Sequence, residues 1–377
     1  MKVGMKCKFG VCPANFWLKG LLKKCGFVES KKKQDFIFVV GGDGTFLQIA
    51  KKKDVPLVFL RDKLSVGALA EYSVDEIKKV VKNIKESNYR IEEMMRIEVN
   101  GKPAFSDIYI THTTGAESIQ YEIEGRNFYD IRIATGIIFS TPQGTTGYTQ
   151  SAGGPVVKKK RIVVTHICPY NKVKLKGKVV DAPPQRWHIL KANKKVTFRL
   201  LWPEKAAIHI DGKRVGTVRR GEEVEIKRYE KDAKIVRFGK ETKYINTVDC
   251  VVEENGKILL VTRRFEPFKG KLALPGGIVE SGESEEEALK RELKEETGLD
   301  AIGVIEFGHY WGPKRDPRGP TYTVAFTADT KGRLEPGRET KKVGWYDIRE
   351  IKPSDLAFDH WKILYDYFRW TGRIIGQ

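Results

Sequence analysis

A chain of 377 residues, 40% of them apolar, is long enough to build two hydrophobic cores and carries no disorder signature. Its cysteines, Cys7, Cys12, Cys25, Cys168 and Cys250, are scattered and odd in number, which argues against a disulfide framework or a CxxC metal knuckle and fits a reducing cytoplasm. No charged N-terminal region leads into a long apolar stretch, and no run of about 18 uncharged apolar residues occurs, so neither export nor membrane spanning is supported and a soluble protein is expected. The net charge of +20 is placed unevenly: residues 241–377 carry 22 basic and 24 acidic groups, so the excess lies in the first 240. Such a field favours phosphate-bearing partners, nucleotides or nucleic acid, while a lysine-rich solvated surface of the heat-adapted kind is the alternative.

In chain order, Phe36-Ile-Phe-Val-Val40 reads as a buried strand. It runs into Gly41-Gly42-Asp43-Gly44-Thr45 at the start of a predicted helix, where backbone N–H groups can cradle a phosphate. Residues 74–84 place apolar side chains at helical spacing, so the opening 95 residues read as α/β. From about Arg96 to Phe238 the pattern changes to short strands rich in Val, Ile, Thr and Tyr, as in Glu223-Val-Glu-Ile-Lys227, and this part is expected to be mainly β. Within it the run Ile138-Phe-Ser-Thr-Pro-Gln-Gly-Thr-Thr146-Gly147-Tyr148-Thr-Gln-Ser151-Ala-Gly-Gly-Pro155 resists both helix and core strand and suits close backbone approach to a ligand.

Together with Ile167-Cys-Pro-Tyr170 and Asp211-Gly212, these segments resemble the NAD kinase family over residues 1–240. The resemblance implies a small α/β domain followed by a β-rich domain, with Asp43 as general base on the 2′-hydroxyl of the adenosine ribose and ATP or polyphosphate as donor. It implies NAD(P) contacts from Gly41, Gly42, Gly44, Thr45, Asp107, Thr146, Gly147, Tyr148 and Ser151, with Tyr148 stacking on a ring. A ribose hydroxyl is a poor nucleophile at neutral pH, so a positioned carboxylate that takes its proton is chemically reasonable. The chain departs from the family at Phe105-Ser106-Asp107, where an Asn-Glu pair is usual, and over Asp62–Glu71, where a Gly-rich segment is usual.

The polar run from Arg237 to Tyr244 marks a boundary near residue 241. Beyond it, Val248–Val252 and Lys257–Val261 are expected to form a hairpin around Glu254-Asn255-Gly256, with Leu272–Gly277 leading into an acidic helix. Ser284 with Glu287 three residues on is a capping-box spacing, and Gly298 is the stop. Glu292, Glu295 and Glu296 stand at i, i+3 and i+4, crowding carboxylates onto one face, which hard divalent cations such as Mg²⁺ or Mn²⁺ would neutralise.

The stretch matches the Nudix box at Gly277, Glu283, Arg291, Glu292, Leu293, Glu295, Glu296, Gly298 and Leu299. The resemblance implies an α+β fold with a mixed sheet sandwiched by helices, metal binding by Glu292, Glu295 and Glu296, a carboxylate-orienting role for Arg291, and attack of water on a pyrophosphate. Gly308–Gly319 resembles the loop of ADP-ribose pyrophosphatases, with Arg315, Asp316 and Arg318 as substrate contacts, and Leu356–His360 resembles the segment before their last helix. Pro320, where a His is usual, and Lys342, where a Glu is usual, depart from that subgroup. Glu339 is a candidate extra metal ligand or general base, with a surface charge as the alternative. The lone His166 and His360 read as structural.

The expected function is a two-module enzyme of nucleotide metabolism, hydrolysing ADP-ribose and phosphorylating NAD to NADP, self-associating as the resemblance implies. The alternatives are a catalytically silent NAD(P)-sensing module that regulates the hydrolase, and a basic RNA-binding module delivering a decapping hydrolase, which no RNP motif or aromatic interleaving supports.

Overall fold

The computed structural model of the protein describes residues 1–7, 13–30, 33–62, 69–114, 117–126, 128–175 and 177–373. Cys12 and most of the Asp62–Glu71 run lie outside the described residues. The chain forms two compact units: one comprises residues 1–152, 159–182 and 191–241, the other residues 153–158, 183–190 and 242–377. The division is therefore more than a break near residue 241, because two short segments from the middle of the first 240 residues fold with the C-terminal unit.

In the first unit, one sheet runs in the order Val28–Glu29, Lys2–Cys7, Phe36–Gly41, Leu57–Arg61, Ala233–Arg237, Arg90–Met94, with Tyr72–Ser73 on Leu57–Arg61. The strands around Phe36–Gly41 are parallel, and Phe36–Gly41 is buried along its whole length, as a parallel sheet covered on both faces requires. The expected helix over 74–84 is a 3₁₀ turn, Val74–Glu76, continued by the α-helix Ile77–Lys85, which buries Ile77, Val80, Val81 and Ile84. The region after residue 96 is β-rich, with one exception: Ala233–Arg237 returns to the opening α/β sheet instead of staying with its neighbours in sequence. Further strands make a sheet ordered Phe128–Ala134, Ile119–Gly125, Val196–Trp202, Glu223–Arg228, Ile97–Val99, Lys102–Ala104, a second that includes Arg161–Ile167, Gly136–Ser140, Asp107–His112, Lys205–Ile210 and Lys213–Arg219 in that order, and a two-stranded ribbon of Lys172–Leu175 and Lys178–Asp181. Alternating burial along Ile119–Gly125 shows one face turned to the core. His166 is buried there, hydrogen-bonded to the Tyr121 hydroxyl at 2.7 Å and to Asp130 at 3.0 Å.

The second unit has two sheets. One is mixed, ordered Gly276–Ile278, Ile245–Val251, Gly319–Lys331, Asp300–Asp316, with Ile245–Val251 parallel to Gly319–Lys331. The other pairs Lys257–Arg263 with Glu253–Glu254, Leu272–Ala273 and Thr340–Asp347. The helix Glu285–Thr297 buries Ala288, Leu289 and Leu293 against Val248, Cys250 and Val324, while the helix His360–Trp370 buries Ile363, Leu364 and Phe368 against Val251, Leu260 and Phe307. Each fully buried aliphatic side chain contributes about 1.5–3 kcal/mol, so the two helices anchor the sheets between them. Trp187 explains why residues 183–190 belong here: its indole N–H donates to the Phe307 carbonyl at 2.8 Å, and its own carbonyl accepts from the Trp370 indole at 2.7 Å.

The hairpin expected of Val248–Val252 and Lys257–Val261 is shorter than that: only Glu253–Glu254 pairs with Lys257–Arg263 across the Asn255-Gly256 turn, whose φ values are 50° and 75°, while Ile245–Val251 is drawn into the other sheet by its pairing with Gly319–Lys331. The Gly308–Gly319 segment is a correction: it is no loop but the tip of a β-hairpin in which Asp300–Asp316 pairs with Gly319–Lys331. Thr, Tyr, Val and Phe in Gly319–Lys331 supply a ladder strong enough to absorb Gly312 and Pro313 as a register shift before Asp316. Among the described residues no helix is long and apolar enough to cross a membrane.

Candidate functional sites in the two units

The helix Glu285–Thr297 is fixed in phase at both ends. Ser284 accepts from the Glu287 N–H at 3.3 Å, Glu287 accepts from the Ser284 N–H at 2.8 Å, and Gly298 closes the helix in the left-handed region at φ 78°, where an added Cβ would lie 2.8 Å from the Arg333 carbonyl. With the phase set, Glu292 and Glu296 line a cavity of about 290 Å³, and Glu339 joins them from the segment before Thr340–Asp347. Glu295 does not line it: its side chain is 61% exposed and 3.4 Å from the Arg291 guanidinium. Arg291 binds Glu283 at 2.7 Å, Glu292 at 2.8 Å and the Ile278 carbonyl at 3.0 Å, and so holds two carboxylates and the preceding strand in one arrangement.

Glu296 accepts the Gly276 N–H at 3.0 Å, yet burial pushes its carboxyl up to about 8, with the charge of Glu292 adding to the rise. Burial raises Glu292 too, against the opposing Arg291 ion pair, and raises the carboxyl of Asp249 on the central strand. These carboxylates fit a divalent cation: hard oxygen donors, desolvated and mutually repelling, are stabilised as anions by a metal.

Sequence reasoning missed several cavity residues. Asp249 is a carboxylate between the buried apolar residues Val248 and Cys250, which is the signal that could have found it. Arg263 and Phe358 also line the cavity. His360, read as structural, is buried in the cavity wall; its Nδ1 accepts the Leu274 N–H at 2.9 Å and its Nε2 lies 3.5 Å from Asp249. Arg315, Asp316 and Arg318 all line the cavity, but each arginine is tied to a carboxylate, Arg315 to Asp359 and Arg318 to Asp316.

In the first unit Asp43 is the first residue of the helix Asp43–Ala50 and accepts the Leu69 N–H at 3.4 Å. Gly41 sits at φ 152°, and a Cβ there would be 2.9 Å from the Thr45 hydroxyl, so the tight turn needs glycine. The helix docks on the segment before Asp107–His112: Phe46 meets Phe105 edge-on at 5.5 Å, and Gln48 donates to the Asp211 carbonyl at 3.1 Å. Asp211 brackets this segment, accepting the N–H groups of Phe105, Ser106 and Asp107 at 3.1, 2.8 and 3.3 Å, with Lys51 at 3.7 Å. Asp107 accepts from the Ser106 hydroxyl at 2.9 Å, and burial pushes its carboxyl up to about 6. Gly144 packs so closely on this segment that a Cβ would lie 2.9 Å from the Ser106 hydroxyl oxygen. Tyr148, exposed, meets Tyr109 edge-on at 5.4 Å, and Tyr109 stacks on His209 at 4.4 Å. Thr146 and Gly147 are exposed beside it, and Ser151 donates to the Gly147 carbonyl at 3.2 Å. Burial holds the Tyr148 phenol above its ordinary value, with Cys168 and Asp107 contributing.

The family model for the NUDIX domain matches residues 243–367, and the model for the ATP-NAD kinase C-terminal domain matches residues 105–238. An ADP-ribose pyrophosphatase of Methanocaldococcus jannaschii is 47% identical over 124 residues, 33% of this chain and 72% of that protein. An NAD kinase of Clostridium botulinum is 31% identical over 225 residues, 56% of this chain and 75% of that protein. The chain belongs to both families. Its NAD kinase unit has the fold of a solved NAD kinase from Archaeoglobus fulgidus in complex with ATP, at TM-score 0.51 and 23% identity over 64% of this chain and 94% of that one. Its Nudix unit contains the complete acidic helix and the cavity beside it.

Proposed function

We propose that the Nudix unit hydrolyses ADP-ribose, or a closely related nucleoside diphosphate derivative, and that the NAD kinase unit phosphorylates NAD to NADP with ATP or polyphosphate as donor. The observation that carries the first activity is the convergence of Glu292, Glu296 and Glu339 in one cavity, with Glu296 so desolvated that its carboxyl rises to about 8. Mg²⁺ or Mn²⁺ bound there would neutralise the diphosphate and acidify the attacking water. Water adds to one phosphorus, the bridging P–O bond breaks, and AMP and ribose 5-phosphate leave. Arg291 holds Glu292 and Glu283 in place, and Glu339 is positioned either to complete the ligand set or to take the water's proton.

In the NAD kinase unit, Asp43 stands at a helix N-terminus after the glycine turn, where phosphates are favoured, and takes the proton of the attacking ribose hydroxyl. Tyr148 offers an exposed ring to the base or nicotinamide, and Asp107 offers a carboxylate to ribose. One observation favours a second reading, a silent NAD(P) sensor: Ser106 stands where the family places Asn, and its hydroxyl is spent on Asp107. Self-association and a cytoplasmic setting belong to the same proposal.

The test incubates the full chain with ADP-ribose, or with NAD plus ATP, each with Mg²⁺. Asp43→Asn should abolish NADP formation and leave AMP release unchanged, and Glu296→Gln should do the reverse. Absence of NADP from the unmodified protein selects the sensor; an unchanged ADP-ribose rate in Glu296→Gln removes the hydrolase assignment.

A further inference from the structure

Lys51 and Asp211 in the NAD kinase unit are buried charges to which the proposed chemistry gives no part. Asp211 stands with Gly212 at the two-residue turn between Lys205–Ile210 and Lys213–Arg219, and both turn residues are at positive φ, 46° and 77°, as so tight a hairpin requires. From there its carboxylate reaches the neighbouring strand. Oδ1 accepts the N–H groups of Ser106 and Asp107, Oδ2 accepts that of Phe105, and the Asp211 N–H donates to the Asp107 carbonyl at 3.0 Å. Four hydrogen bonds to one residue leave the segment that carries Asp107 a single backbone position.

The same residue holds the helix Asp43–Ala50 at the end opposite Asp43. Gln48 donates to the Asp211 carbonyl at 3.1 Å, and Lys51, which caps the helix C-terminus, places Nζ 3.7 Å from Asp211 Oδ2. The two side chains are 8% and 0% exposed. Burial lowers the Lys51 ammonium and raises the Asp211 carboxyl, and each charge opposes the shift of the other. A buried ion pair loses about as much in desolvation as it regains in attraction, so apolar side chains of the same volume would hold the helix down equally well. What the pair adds is a fixed geometry between two elements.

We infer that Asp211, with Lys51 as its counter-ion, is the positioning residue of the NAD kinase unit: it sets Asp43, which takes the proton of the ribose hydroxyl, against Asp107, which holds the ribose. The inference rests on the kinase reading and deepens it. Asp211 acts through the helix that begins at Asp43 and through the backbone of Asp107, not on the substrate itself. Asp211→Asn keeps the shape of the side chain but turns one acceptor into a donor. An amide whose oxygen stays on the Ser106 and Asp107 N–H groups aims its NH₂ at the Phe105 N–H and the Lys51 ammonium, so the segment must shift. A misplacement of about 1 Å at a reacting group costs on the order of a hundredfold in rate.

NADP formation from NAD and ATP in Mg²⁺ is followed on the full chain, beside calorimetric titration with NAD alone, which counts the folded sites and gives the affinity. Asp211→Asn should lower kcat per titrated site about ten- to hundredfold while weakening NAD only about three- to tenfold. Lys51→Met should do the same to a smaller degree, and Lys51→Arg should restore most of the rate. A merely structural role would lower the melting temperature and the number of titrated sites and leave kcat per site unchanged. Gln48→Leu frees the helix from the Asp211 carbonyl without disturbing a buried charge; it should lower kcat several-fold and serves if the charge variants melt early. Wild-type kcat per site in Asp211→Asn, or in Gln48→Leu where that variant replaces it, overturns the positioning role. A wild-type protein that binds NAD but forms no NADP removes the kinase reading, and the affinity then decides: weakened NAD in Asp211→Asn supports the hold on Asp107, and unchanged affinity overturns it. Absence of NAD binding by the wild type removes both.

Discussion

Gly277→Ala separates catalysis from folding more cleanly than any other single change in the Nudix unit. The glycine lies beside the acidic helix, and a Cβ added to it would stand 2.6 Å from Glu292 Oε2, with Oε1 closer still. An ordinary van der Waals separation requires the carboxylate to retreat by about 1 Å, and the end of a flexible side chain can do so without moving the backbone. The retreat has a consequence because Glu292 Oε1 is the atom that Arg291 holds at 2.8 Å. A displacement of that size at a catalytic group costs on the order of a hundredfold in rate. The neighbouring Gly276 provides the contrast. Its Cβ would meet the Val248 carbonyl and lie 2.9 Å from the Asp249 Cα, so Gly276→Ala must push backbone in a central strand and should lower the melting temperature. The assay pairs AMP release from ADP-ribose with thermal unfolding of both variants. Gly277→Ala should melt within about 2 °C of the parent, as a change of a few tenths of a kcal/mol implies, and lose about two decades of kcat. A fully active Gly277→Ala protein would refute the placement of Glu292 in the catalytic machinery.

Asp107→Asn should stabilise the NAD kinase unit at neutral pH. The folded carboxyl sits near 6, above its ordinary 3.8, so its ionisation opposes folding: the penalty is absent below pH 3.8, grows between there and about 6, and is complete above. The gain in the variant should be about 2–3 kcal/mol at pH 7.5 and vanish at pH 3.5, read by denaturant titration at the two values; a loss at pH 7.5 would show that the charge is needed by the fold. Chelation with EDTA should abolish AMP release and lower the melting temperature of the Nudix unit, and Mg²⁺ or Mn²⁺ should restore both, whereas a chelator-insensitive rate would exclude a metal. Ser284→Ala removes the cap of the acidic helix and should cost about 1 kcal/mol in denaturant unfolding, with any larger change in kcat reporting a shift of helix phase.

The acidic helix was legible because its determinants are local. Cap, stop and carboxylate spacing lie within one stretch of chain, and the structure reproduces the Ser284–Glu287 box and the Gly298 cap. Spacing alone gave three carboxylates one face, but the cavity receives only Glu292 and Glu296, because a wall's width is set by the sheet opposite and not by the helix. The segments 153–158 and 183–190 were illegible for a related reason: a polar run can mark where one unit ends, but nothing local says that Trp187 will find its partners at Phe307 and Trp370. The loop that the resemblance implies over Gly308–Gly319 is instead paired as a hairpin, because the cross-strand ladder tolerates its Gly and Pro.

The arginines carry this furthest. Arg315 and Arg318 are marked in the sequence by the resemblance of their segment to that of ADP-ribose pyrophosphatases, yet the same segment supplies Asp316 to Arg318, and the fold supplies Asp359 to Arg315. Arg263, at the end of the strand Lys257–Arg263, carries no such mark, and among the described residues no carboxylate lies at ion-pair distance from it. A cation's availability to a ligand depends on which anions the fold brings to it, a long-range property absent from residue identity or spacing. Local pattern therefore marks the carboxylates of the cavity, while the pairing of its arginines is decided by long-range contacts.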